Sequence, residues 1–151
     1  MVRRVAIGLD AAVQVLRNAP DRLIGSRFAA PSAPAGGFGL LAVDLPGGMH
    51  IAREVRIGCG PLLQEDDAVT LPVWWEAAEH PQLFPTFDGG LGVRGVDDET
   101  ELCLVGSYQP PLGPIGRFAN GVAGHRVVTA SLETFLTGVA ERLAAAAADM
   151  G

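Results

Sequence analysis

Lysine is absent from this chain, and all 11 basic residues are arginine. That absence removes Schiff-base chemistry, a phosphate-loop lysine and a serine–lysine nucleophile pair, because each needs a titratable primary amine. The arginines are scattered and the formal net charge is -6 at pH 7, so the basic footprint of a phosphate-backbone binder is missing and nucleic acid is not an expected partner. Cysteine is scarce. Cys59 and Cys103 lie far apart, each in an apolar strand-like run, which reads as buried thiols and not as the disulfide framework of a small secreted domain. His50, His80 and His125 show no metal-ligand spacing, so neither a metal nor another cofactor is expected. No uninterrupted apolar run approaches the roughly 20 residues that cross a bilayer. Met1-Val2-Arg3-Arg4 resembles the basic start of a signal peptide, but Asp10 interrupts the apolar run early and no cleavage-like site follows. A cytoplasmic location is expected.

What is present is interior. A hydrophobic content of 48% argues against disorder, and 151 residues suffice for one domain, 1–151, with a real core. Val5, Ile7 and Leu9 alternate with Arg4, Ala6 and Gly8, the period of a half-buried strand. Asp10 offers a helix N-cap, Ala12, Val13 and Leu16 make a short apolar stripe, and Asn18 before Pro20 ends it. A second short helix is predicted from Asp21 to Phe28, followed by an Ala/Pro/Gly/Ser-rich loop from Ala29 to Gly37.

Consecutive strands follow. Phe38 to Leu45 and Met49 to Gly58 flank Pro46-Gly47-Gly48, a tight-hairpin signal. Asp66 to Glu76 places Val69, Leu71, Val73 and Trp75 on one face, with Pro72 pointing to an edge or a bulge because proline cannot donate to a ladder. Phe84 to Val96 and Glu99 to Tyr108 form the last pair, joined near Asp97-Asp98. Such short connections leave no room for crossovers, so the strands are predicted to be antiparallel. From about Asn120 to Ala147 the period turns helical, with Val128, Leu132, Phe135, Leu136, Val139 and Leu143 three and four apart. Such a helix is about 40 Å long and can span a small curved sheet.

The predicted class is α+β: a curved antiparallel sheet of about six strands, two short N-terminal helices and one long C-terminal helix. That order resembles the helix-grip fold of the START-related superfamily, which includes polyketide cyclases, lipid-transfer domains and plant ligand binders. Leu71-Pro72-Val73-Trp74-Trp75-Glu76-Ala77, Leu83-Phe84-Pro85-Thr86-Phe87-Asp88-Gly89, Gly106-Ser107-Tyr108-Gln109-Pro110-Pro111-Leu112-Gly113 and His125-Arg126 are similar to uncharacterised bacterial members. The resemblance covers Val69 to Leu143, and the N-terminal third only by topology. It implies an apolar pocket between sheet and helix, and a small hydrophobic ligand such as a lipid, polyketide or isoprenoid. At about 24 cal/mol per Å³, an empty void of roughly 300 Å³ would cost about 7 kcal/mol, against net stabilities of about 5 to 15. Ligand, water or bulky side chains therefore occupy the space, and Trp74, Trp75, Phe84, Phe87, Phe118 and Phe135 suit either lining or filling it.

Candidate ligand-binding residues are Arg53, Trp75, Phe87, Tyr108, Phe118, His125 and Arg126. Arg53 shares parity with Met49, Ile51, Val55 and Ile57, so a regular strand would turn its guanidinium inward to meet a carboxylate or carbonyl, whereas a bulge or an edge would turn it out. Tyr108 precedes the double proline and aims its hydroxyl at the pocket mouth or caps core packing. His125 or Arg126, near the start of the long helix, faces either the pocket or solvent, and no carboxylate at helical spacing orients the histidine. Asp88-Gly89-Gly90 reads as a turn or bulge, and Glu79-His80 as a solvated loop. A carrier or sensor is the expected function. A cyclase using Arg53, Tyr108 or His125, and an interaction module with a filled core that binds a partner or its own copy as a homodimer, are the alternatives.

Overall fold

The apolar alternation becomes one antiparallel sheet. The computed structural model describes residues 1–24, 36–45, 49–66, 68–80, 86–109 and 122–150, with the side chains of 21, 36–45, 49–53 and 122–127 outside the description. In chain order the elements are β1 (Val2–Val5), α1 (Leu9–Asn18), α2 (Pro20–Ile24), β2 (Gly36–Leu45), β3 (Met49–Cys59), β4 (Leu63–Glu65), β5 (Ala68–Ala77), β6 (Thr86–Val96), β7 (Glu99–Gln109) and α3 (Val122–Met150). The strands are ordered β1-β7-β6-β5-β3-β2, with the short β4 also paired to β5, and every pairing is antiparallel.

The sheet is curved, and α3 packs against both of its edge strands, β1 and β2. At 29 residues α3 is about 43 Å long, enough to cross the roughly 24 Å between those edges. Burial assigns the faces. Val55 and Ile57 of β3, Leu71, Val73 and Trp75 of β5, Leu91 and Val93 of β6, and Leu102 and Leu104 of β7 are buried on the inner face, joined by Val128, Phe135, Leu136, Val139 and Leu143 of α3. Residues between them point outward, so Glu54, Arg56, Trp74, Asp88, Arg94 and Val105 are exposed.

The helices are tied by few polar bonds. Arg3 Nη1 of β1 donates to Thr137 Oγ1 of α3 at 2.8 Å, and Arg142 Nε of α3 donates to the Leu23 carbonyl of α2 at 2.7 Å. Burial lowers the pKa of the Arg142 guanidinium, and the charge of neighbouring Glu141 acts in the opposite sense.

Several boundaries differ from the sequence reading. The first strand stops at Val5 because the Ile7 N–H turns back to the Val5 carbonyl at 2.8 Å, and buried Thr100 then donates to the Ile7 carbonyl at 2.8 Å. The N-cap of α1 is Gly8, without a side-chain bond, while Asp10 sits in the first turn, where a negative charge suits the helix dipole. Val15, not Val13, joins Ala12 and Leu16 in the core. Asp66 is a turn residue with φ 34° between β4 and β5, so the strand read from Asp66 begins at Ala68 and an unpredicted β4 precedes it. The second helix ends at Ile24 within the described residues, and Cys103 is half-exposed while Cys59 is buried.

Pro72 lies inside the sheet and is tolerated by a break in its neighbour. β3 pairs with β5 as far as Cys59↔Val73, and β4 resumes at Leu63↔Thr70. The Pro72 carbonyl accepts from Gly60 N at 2.9 Å, so the side of Pro72 that lacks a donor faces this gap. The other side keeps its place opposite Gly90 of β6.

Candidate ligand site on the inner face of the sheet

Register brings three of the seven sequence candidates into one row. Ile57 of β3 lies opposite Trp75 of β5, Trp75 opposite Phe87 of β6, and Phe87 opposite Tyr108 of β7. Directly opposed residues share a face, so the row is aromatic across three adjacent strands. Trp75 and Phe87 stack with centroids 4.4 Å apart at 20°, and Phe135 of α3 closes over Trp75 at 4.9 Å and 39°. Trp75 and Phe87 are buried, whereas Tyr108 is 40% exposed. The row therefore runs from the core to solvent at its β7 end.

A pair of glycines makes room for it. Gly89 and Gly106 face each other on β6 and β7. A Cβ on Gly89 would fall 2.6 Å from Gly106 Cα and 2.7 Å from Phe87 Cζ, and one on Gly106 would fall 2.8 Å from the same carbon. The Phe87 ring thus lies down over two bare backbones, close to the sheet, and leaves space above it for the indole. The Asp88-Gly89-Gly90 run is mid-strand, not a turn, because the Gly89–Gly106 contact needs the absence of side chains on both strands. Neither this pairing nor the Phe135 lid stood among the predicted site residues. The glycines interrupting two strand-like runs, with Phe87 two positions before one of them, are the signal that carried it.

One polar atom in the row is unsatisfied. Trp75 Nε1 is buried and has no hydrogen-bond partner among the described residues. Leaving such a donor without an acceptor costs about 1–3 kcal/mol. A phenylalanine would stack on Phe87 without that cost.

The remaining candidates fall differently. Arg53 sits on β3 opposite Leu41 of β2, and His125 and Arg126 sit in the first turns of α3, with all three side chains outside the described residues. Phe118 and Phe84 lie outside them altogether. His125 precedes Phe135 by ten residues, about 15 Å along the helix axis. Glu79 and His80 are exposed, as read. Three clefts among the described residues border α1. One of about 570 Å³ lies against α2 and the end of α3, one of about 640 Å³ against β4, and one of about 450 Å³ at the β3–β4 corner. None of these three is lined by the aromatic row, in which Phe135 stacks on Trp75 and Trp75 on Phe87.

No protein-family model and no curated protein matches the chain. Among solved structures it is similar to a crystal structure of a Mycobacterium smegmatis protein at 12% identity and a TM-score of 0.50, covering 95% of this chain and 86% of that one. A solution NMR structure of an Arthrobacter aurescens protein aligns at 9% identity and a TM-score of 0.49, over 98% and 84% of the two chains. A Helicobacter pylori crystal structure aligns at 10% identity and a TM-score of 0.48, over 93% and 84%. The M. smegmatis likeness extends to the fold and stops there. No described helix is long and apolar enough to cross a membrane.

Proposed function

We propose that this protein binds a small, largely apolar molecule that carries a hydrogen-bond acceptor, held at the β7 end of the inner face. The observation that carries this reading is the Trp75 indole N–H, buried and without a partner among the described residues, within an aromatic row that reaches solvent at Tyr108. An apolar body that enters at the exposed Tyr108 and displaces the Phe135 ring from Trp75 gains stacking and burial in the row, and a carbonyl or hydroxyl oxygen accepting from Nε1 removes the cost of the orphan donor. The START-related resemblance agrees with such a ligand, a lipid, polyketide or isoprenoid. Binding is favoured over a cyclase reaction because, of the described side chains in the row, only the Tyr108 hydroxyl is a proton carrier.

Fluorescence tests this. Trp74 is exposed and Trp75 is 3% exposed, so Trp74→Phe leaves Trp75 as the single emitter. Titration with a medium-chain fatty acid, a fatty alcohol and a flat aromatic ketone is expected to change its emission saturably for at least one of them. Emission unmoved by all three, with melting temperature also unmoved, contradicts the proposal.

A further inference from the structure

Arg142 is held from two sides. Its side chain runs back along α3 over the preceding turn, as helical geometry directs, and meets Gly138 there. A Cβ on Gly138 would fall 3.0 Å from Arg142 Nη1, 3.2 Å from Nη2 and 3.4 Å from Cζ, so the guanidinium rests on a turn that is bare of side chain. Glycine in mid-helix is a poorer helix former than alanine, and what it provides here is that seat. The second restraint is the bond from Nε to the Leu23 carbonyl at 2.7 Å, in the last turn of α2, where carbonyls have no partner within their own helix. A guanidinium presents two forks to a carboxylate, Nε with one Nη, and Nη1 with Nη2. The first is engaged at Leu23. The second has no carboxylate within ion-pair distance among the described residues.

Arg142 lines the cleft of about 570 Å³ between α1, α2 and the end of α3. The walls are otherwise largely apolar: Val15, Ala19, Leu23, Ala145, Ala146 and Met150. Three of these are alanines, whose short side chains leave the space between the helices unfilled. Among the described residues the charged groups bordering the cleft are Arg22, Arg142 and Asp149, one net positive charge, with Asn18 as a neutral amide. Glu141, next along the helix, acts on Arg142 from outside the lining. Both α1 and α3 end here, and the carbonyl ends of helices disfavour a concentrated negative charge. The balance suits a single negative charge and not a phosphate dianion or a dicarboxylate. Burial lowers the pKa of Arg142, as it does for a cation partly withdrawn from water without an anion to match it.

We infer that this cleft binds a small monocarboxylate with a compact apolar body, its two oxygens accepting from Nη1 and Nη2 of Arg142 while Gly138 and the Leu23 carbonyl hold the guanidinium in place. The body of the ligand lies against Ala19, Ala145 and Ala146 and is taken out of water there. Arg22, exposed at the cleft, draws the anion in, and added salt weakens that attraction. A ligand of about ten non-hydrogen atoms in so open a site has a dissociation constant on the order of 1 mM. The cleft shares no residue with the Trp75, Phe87 and Tyr108 row, so this site stands or falls independently of the function proposed above.

Titration of the native chain with cyclohexanecarboxylate at constant ionic strength, followed by ¹H–¹⁵N spectra, tests the inference. The Arg142 Nε–H resonance and the backbone amides of Leu23, Ala145 and Ala146 are expected to move saturably, and cyclohexylmethanol, the neutral match, to leave them in place. The Trp75 indole resonance, assigned from the Trp74→Phe protein, separates the two sites: a ligand in the aromatic row moves it, and a ligand in the cleft does not. Arg142→Gln removes the charged fork and is expected to weaken binding of the acid about tenfold or more. Gly138→Ala improves the helix while pushing the guanidinium off its seat, so it is expected to stay folded by circular dichroism and to weaken binding about threefold or more. Cleft resonances that ignore the acid, that respond equally to the alcohol, or that report native affinity in either variant overturn the inference.

Discussion

Replacing Gly106 with alanine isolates the device that lets Phe87 lie flat. The new Cβ would fall 2.5 Å from the Asp88 carbonyl oxygen, 2.6 Å from Gly89 Cα and 2.8 Å from Phe87 Cζ. Two of these neighbours are backbone atoms of β6, held to β7 by a ladder of eleven residue pairs, so the strand has little freedom to retreat. Overpacking of this kind costs about 1–3 kcal/mol. Gly92 is the matched control on the same ladder. A Cβ there meets Cys103 O at 3.5 Å, an ordinary contact, and neither glycine has a left-handed φ, so Gly92→Ala is expected to stabilise by about 0.4–1 kcal/mol through the unfolded chain. For a chain of this length, a loss of about 2 kcal/mol lowers the melting temperature by about 4–8 °C. Thermal unfolding by circular dichroism at low micromolar concentration should give the two variants shifts of opposite sign. Equal shifts would refute the account of the glycine floor. A third variant, Gly106→Ala with Phe87→Leu, should recover only part of the loss, because the clash with the opposing backbone remains.

Other consequences follow from the same packing. Phe135→Ala removes the lid of the aromatic row and is expected to cost about 3–5 kcal/mol in urea unfolding, whereas Trp75→Phe, which deletes an unsatisfied donor along with part of a ring, should cost less than about 2 kcal/mol. Thr100→Val strands the Ile7 carbonyl at the entry to α1, and should cost about 1–2 kcal/mol with an unchanged denaturant slope. Arg142→Lys loses the Nε bond to Leu23 and should lower stability by about 1 kcal/mol, read as a lower urea midpoint.

Periodicity made the fold class legible. The alternation of Val69, Leu71, Val73 and Trp75, the turn at Asp97-Asp98, and the helical stripe from Val128 to Leu143 each appear where they were read. Local signals failed where a tertiary contact decided the outcome. Pro72 could be read as an edge residue because sequence does not reveal that β3 and β4 part opposite it. Gly89 looked like a turn because its reason for being bare is Gly106, seventeen residues later, and a ring two residues earlier. Trp75 was read from its strand alternation, Phe87 as a pocket aromatic and Tyr108 from its place before the double proline, but their alignment in one row came only with the register of β5, β6 and β7. Phe135 was named as lining or filling the pocket but not as a ligand-binding candidate, since where a helix sets a given ring on a sheet is decided by tertiary packing.

The central claim is that the Trp75 indole N–H is kept for a ligand oxygen. Two-dimensional ¹H–¹⁵N spectra of the Trp74→Phe protein, which contains one indole, measure it directly. With a saturating fatty alcohol or aromatic ketone, the Trp75 Nε1–H resonance is expected to move downfield, as a proton newly engaged in a hydrogen bond does. A resonance that keeps its position while ligand signals show binding elsewhere, or no binding at all, would contradict the account.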